Sequence, residues 1–123
     1  YNVFAMESFI DELAETRDSD PVALRRELLA PDSALLRCME KVIVNADWYG
    51  ARERAIGLAT YNFSTTSVAL VAEVAGTLEN WRVTDVWCVV DCGMVVHPDG
   101  AAAQIEGGVV FAVSAALYEA IEL

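Results

Sequence analysis

The spacing of apolar and polar positions divides the chain into thirds. In the first, Met6, Phe9, Ile10 and Leu13 recur at i, i+3, i+4 and i+7. Glu7, Asp11, Glu12 and Glu15 fall between them. This predicts an amphipathic helix with its acids turned to solvent and Asn2 as its cap. Asp18-Ser19-Asp20-Pro21 ends that helix and opens a second, with Asp20 as N-cap and Pro21 at the first helical position. The second helix carries Leu24 and Leu28 and stops before Pro31. A third starts near Asp32 or Ser33, aligns Leu35, Leu36, Met39, Val42, Ile43 and Ala46 in one stripe, and ends at Gly50.

The middle third changes period to two. Residues 55–61, 67–77 and 81–90 predict three strands, the second alternating Val68, Leu70, Ala72, Val74 against Ala69, Val71, Glu73, Ala75. Gly76-Thr77-Leu78-Glu79-Asn80 predicts the hairpin connection between the last two. Turn signals follow at Asp91-Cys92-Gly93 and His97-Pro98-Asp99-Gly100. Residues 101 to about 120 then have helical composition, interrupted by Gly107 and Gly108. Each of these glycines costs about 1 kcal/mol relative to Ala inside a helix, so something must offset them. The expected fold is α+β: N-terminal helices and a long C-terminal helix packed on a small, mostly antiparallel sheet around one core. The expected organisation is a single domain over 1–123, with 1–50 helical, 51–92 in strands and 93–123 as turn and helix.

Composition narrows the function classes. A chain of 123 residues, 55% hydrophobic, can bury a core and is not a disordered tail. Eight basic and 19 acidic residues give 8 − 19 = −11, which repels phosphate backbones and anionic membranes. The longest charge-free run, 55–72, holds Thr60, Asn62, Ser64, Thr65, Thr66 and Ser67 and is too polar for a lipid-facing helix. Neither nucleic acid nor membrane insertion is expected. The opening at Tyr1, without a charged segment before an apolar one, predicts a piece of a longer protein or a processed product without a signal peptide. Three cysteines are too few for a disulfide scaffold.

Four places carry candidate chemistry. Gln104, Gly107, Gly108 and Phe111 lie at i, i+3, i+4 and i+7, on one helical face. A carboxamide both donates and accepts, and glycines beside it leave room for a flat ligand or a neighbouring backbone. Spacing alone favours the second, with Gln104 in solvent. Cys88 and Cys92, with His97 downstream, make an incomplete zinc set, so no metal ligand is assigned and buried small apolar roles are expected for the cysteines. His97, the single histidine, reads as a surface residue in a turn. Asp91, after the mostly apolar run 86–90, reads as a turn-forming acceptor or the entry to a ligand loop. The acids of the first helix read as a solvated face rather than a catalytic carboxylate pair.

The stretch VVDCGMVVHPDGAAAQIEGGVVFAVSAALYEAI, residues 89–121, resembles the cofactor-binding large subunit of molybdenum hydroxylases: xanthine dehydrogenase, aldehyde oxidase and, nearer in wording, the beta chain of isoquinoline 1-oxidoreductase. In that family a D-C-G or D-x-G turn, an N-P pair and a helix-opening Q-x-E-G-G follow one another. Here these are Asp91-Cys92-Gly93, His97-Pro98 and Gln104-Ile105-Glu106-Gly107-Gly108. NVFAMESFIDELA (2–14), DPVALRRELLA (20–30) and SVALVAEVAG (67–76) are similar to the family in the same order.

The resemblance implies a molybdopterin cofactor of the cytosine dinucleotide type, hydroxylation of aldehydes or N-heterocycles with water as oxygen source, and electrons passed to an iron–sulfur subunit or domain. It implies that Gln104 touches the pterin or the molybdenum ligands and that Gly107 and Gly108 permit close approach. His97 stands where the family has Asn, and Arg54-Ala55-Ile56-Gly57 stands where it has G-R-G-hydrophobic. No Glu lies in the family's G-x-G-E-like catalytic motif, so no catalytic residue is assigned. The expectation is an oxidoreductase piece, inactive and cofactor-free alone, working with the remainder of the large subunit in the cytoplasm or the periplasm. The second reading is a non-enzymatic, self-associating interaction domain that keeps the scaffold.

Overall fold

The computed structural model describes residues 2–50, 53–77 and 79–120. Their order is α1 (Asn2–Thr16), α2 (Pro21–Leu28), α3 (Ala34–Asn45), a short 3₁₀ turn (Trp48–Gly50), β1 (Ala55–Phe63), β2 (Thr66–Thr77), β3 (Asn80–Asp91) and α4 (Pro98–Tyr118). The strands form one antiparallel sheet in the order β1-β2-β3, so the fold is α+β. The chain divides into two compact units, Tyr1–Cys92 and Gly93–Leu123.

Local chemistry explains most boundaries in the first unit. The Asp20 side chain accepts from the Val22 N–H, and Pro21 follows where its missing N–H is harmless. Ser33 caps α3 through the Leu36 N–H. Asn2 does not cap α1; it is the first helical residue. α3 ends at Asn45 rather than Gly50, because the chain turns into a left-handed backbone at Asp47 (φ 49°). Gly50 instead closes the 3₁₀ turn, where a Cβ would run into the Asp47 carboxylate. The β2–β3 register brings Thr77 opposite Asn80 and Gly76 opposite Trp81. Gly76 has φ 122°, and a Cβ there would strike the Asn80 carbonyl. Leu78, in the predicted turn, lies outside the described residues, as do Ile121 and its two successors.

The core lies between α2–α3 and one face of the sheet. Val22, Cys38, Met39, Val42, Ile43, Ala46, Leu58, Ala69 and Val71 are buried together. Thus Ala69 and Val71 mark the covered face of β2. By strand alternation and register the opposite face carries Ala55, Gly57 and Ala59 of β1, Val68, Leu70, Ala72 and Val74 of β2, and Val86, Cys88 and Val90 of β3. That face is also apolar.

α1 departs from its sequence pattern. Met6 and Phe9 are exposed, while Glu7 turns inward with a side chain only 13% accessible. Arg25, 1% accessible, is the cause. Its guanidinium donates to Glu7 Oε2 (3.1 Å), Asp11 Oδ1 (2.6 Å) and the carbonyls of Glu7, Pro21 and Leu58. A buried cation requires nearby acceptors, and this requirement outweighs burial of two apolar side chains. Glu7 is therefore ion-paired inside rather than solvated, and Asp11 pairs with the same cation from a position 45% exposed. Leu28, expected to pack, is likewise exposed, whereas Leu24 is buried.

In the second unit, α4 begins at Pro98, three residues before the predicted start. Among the described residues of this unit α4 is the one helix or strand. It is long and apolar enough to cross a membrane by length and composition.

Candidate functional site

The sequence-predicted site lies on α4. His97 sets its start: Nδ1 accepts from the Gly100 N–H at 2.7 Å, in the tautomer with the proton on Nε2. The histidine thus takes the capping role that an Asn carboxamide would fill, rather than serving only as a turn surface residue. Gly100 permits this: a Cβ there would lie 2.6 Å from Nδ1. The signal was present in His97-Pro98, since Pro favours the first helical position and the residue before it the cap. Asp99 in the first turn complements the positive end of the helix dipole.

Gln104, Gly107 and Gly108 all fall inside α4, one turn apart on one side, and all three are exposed. A Cβ built on either glycine meets nothing within 4 Å. The strip therefore combines one donor–acceptor carboxamide with bare backbone at helix positions three and four residues on. Phe111, on the same side, is 71% exposed. What the strip offers is hydrogen bonding from the carboxamide and open van der Waals surface at the two glycines.

The other candidates resolve differently. Asp91 ends β3 opposite Ser67, with Oδ2 at 3.6 Å from an Arg37 nitrogen of α3. Cys88 is half-buried in β3, and burial pushes its thiol above the ordinary range. Cys92 is exposed, against the expectation of an apolar buried role. Its position just past β3, beside left-handed Gly93 (φ 77°), takes it out of the sheet's packing. Cys38, on α3, is the buried cysteine; desolvation raises its thiol pKa, and Sγ donates to the Ser67 carbonyl at 3.7 Å. Among the described residues no group of three or more His, Cys, Asp or Glu is placed to hold a metal ion.

A groove of about 520 Å³ opens between α1 and the sheet face opposite α3, lined by Val3, Phe4, Gly57, Leu70, Ala72 and Val74 among others. Its two acids, Glu7 and Asp11, are both engaged with Arg25. The groove offers apolar contact without a titratable group free for acid–base work.

Comparison with known proteins covers nearly the whole chain, α4 included. Residues 23–123 match the family model described as "Molybdopterin cofactor-binding domain". The chain is similar to the beta chain of isoquinoline 1-oxidoreductase from Brevundimonas diminuta, 37% identical over 127 residues, covering 98% of this chain and 16% of that protein. It is 33% identical over 147 residues to the membrane-bound aldehyde dehydrogenase [pyrroloquinoline-quinone] of Gluconacetobacter polyoxogenes, 98% and 18% of the two chains. It is 30% identical over 141 residues to the B-type subunit of nicotinate dehydrogenase from Pseudomonas putida, 98% and 12%. The chain therefore spans less than a fifth of each of these relatives. No solved structure matches it.

Proposed function

The chain belongs to the molybdopterin cofactor-binding domain family, and from that membership we propose that it is one segment of the cofactor-binding subunit of a molybdenum hydroxylase acting on aldehydes or N-heterocycles. The observation that carries this reading is that the family match runs through α4 and includes its carboxamide–glycine strip. In this reading Gln104 hydrogen-bonds the pterin or the ligands around the metal. Gly107 and Gly108 let that group approach the helix backbone. His97 fixes where α4 starts and hence where Gln104 sits. A bound molybdenum cofactor supplies the redox chemistry; the chain's residues bind and orient it.

The cofactor is taken to be of the cytosine dinucleotide type. Such a group is larger than one helical strip, so loops elsewhere in the large subunit complete its site. Electron transfer falls to an iron–sulfur partner subunit or domain. α4 is read as a cofactor helix and not a membrane span: it carries two acids, Asp99 and Glu106, and the Gln104 carboxamide in its N-terminal half.

The test compares the chain alone with the complete subunit. The purified chain is expected to hold no stoichiometric molybdenum by elemental analysis and to turn over no aldehyde. One molybdenum per chain after reconstitution would overturn the need for further segments. In the complete subunit, Gly107→Val and Gln104→Ala are expected to lower molybdenum content at least tenfold, equivalent to about 1.4 kcal/mol of lost binding. Because a Cβ at Gly107 meets nothing in this chain, unchanged loading in Gly107→Val would remove α4 from the cofactor site.

A further inference from the structure

β1 is an edge strand whose protection comes from an unusual source. Edge strands expose unpaired N–H and C=O groups and are commonly blunted by charges, proline or bulges. β3, at the other edge, carries Arg82 and Asp85 and has a register irregularity opposite Glu73/Val74. β1 reads AIGLATYNF: nine residues with no charge and no proline, in unbroken register with β2. Among the described residues no further strand pairs with it.

Two side chains take the place of that strand. Arg25 Nη2 donates to the Leu58 carbonyl at 3.1 Å, and Glu7 Oε2 accepts from the Thr60 N–H at 2.8 Å. These two groups flank Ala59 on the outer side of β1. In a parallel ladder one residue of a neighbouring strand bonds the same pair, giving its N–H to the carbonyl before and its carbonyl to the N–H after. Arg25 and Glu7 are joined to each other, Nε to Oε2 at 3.1 Å, so together they imitate the N–H and C=O of one residue of such a strand. The Glu7 carboxylate also lies 3.4 Å from the Thr60 hydroxyl. Asp11, at 2.6 Å from Arg25 Nη1, gives α1 a second tie to the same cation.

From this geometry we infer that the Glu7–Arg25 pair closes the edge of β1 against strand addition, and that releasing α1 admits β1 of a second copy of this chain. The strand suits its own copy. A net charge of −11 opposes the approach of two charged surfaces, but β1 brings no like charges face to face. Both faces of the strand are mainly apolar, so pairing β1 with β1 in either face orientation sets apolar groups beside apolar groups. This inference rests on the first unit alone and is independent of the cofactor reading.

The test uses sedimentation velocity across a concentration series, with amide hydrogen exchange. Glu7→Ala/Asp11→Ala removes both carboxylates from Arg25. Glu7→Gln/Asp11→Asn keeps their shape and removes their charge, and serves if the first variant does not fold. At low concentration the Thr60 amide is expected to exchange about tenfold faster than in the parent chain, as a local opening would allow. With rising concentration the variant is expected to dimerise. Adding Thr60→Pro, which removes the outward N–H at an edge position that tolerates proline, is expected to restore the parent's sedimentation. A variant that sediments like the parent at every concentration overturns the proposal, as does an unchanged Thr60 exchange rate or a dimer that survives Thr60→Pro.

Discussion

Arg25 shows how one residue can reorder a surface. Its burial turns Glu7 inward, draws the half-exposed Asp11 to the same cation and leaves Met6 and Phe9 outside, against the apolar periodicity of α1. The three cysteines show the same dependence on place. Cys38 is buried with a raised pKa, Cys88 is half-buried with a raised pKa, and Cys92 is exposed. Since the thiolate is the reacting form, a neutral-pH alkylating reagent is expected to label Cys92 first and Cys38 last. Peptide mass mapping over a time course reads this order, and early labelling of Cys38 would contradict it. At His97 the cap predicts a second outcome. His97→Ala is expected to cost about 1 kcal/mol in α4 and to speed exchange of the Gly100 amide, while His97→Asn keeps both near the parent value. Equal exchange in all three proteins would mean that the imidazole does not hold that amide.

Between elements, ion pairs and caps fix what periodicity leaves open. Arg26 of α2 meets Glu40 of α3 through two bonds, 2.6 and 2.9 Å, and also donates to the Tyr49 hydroxyl at 3.0 Å. The guanidinium holds the Glu40 carboxyl below the ordinary glutamate range. A carboxyl depressed in the folded state stabilises it at pH above the unfolded value, and that contribution is lost as pH falls through the folded value. Both side chains are about two-fifths exposed, at 39% and 43%, so solvent screening keeps the contribution to a few tenths of a kcal/mol. Glu40→Gln is therefore expected to lower the urea midpoint slightly at neutral pH, with the difference vanishing in acid and shrinking in high salt. A difference that grew on acidification would contradict the pairing. Helix spans were legible because Asp20-Pro21 and Ser33 are strong local stop–start signals. The end of α3 was less so, because a left-handed Asp47 stopped the helix before the visible glycine.

For the whole molecule, the sheet is the informative layer. α3 covers one face, while the opposite face is as apolar as the first and bounds an open groove beside α1. Two apolar faces are the mark of a sheet buried on both sides. That agrees with a chain that spans only 12–18% of its relatives, in which further polypeptide is available. The negative charge lies outside this face, so it does not oppose apolar docking there.

The sequence alone determined the element order, the antiparallel sheet, the hairpin at Gly76, the α2 and α3 caps and the family, because each is written in local spacing or in a continuous motif. Which side of α1 faces inward was decided by tertiary structure, since it depended on Arg25 lacking water and requiring two carboxylates from another helix. The edge of β1 was decided in the same way. Leu58 and Thr60 carry no trace in the text of the guanidinium and carboxylate that reach them from residues 25 and 7, because hydrogen bonds between distant segments exist only once the chain has folded.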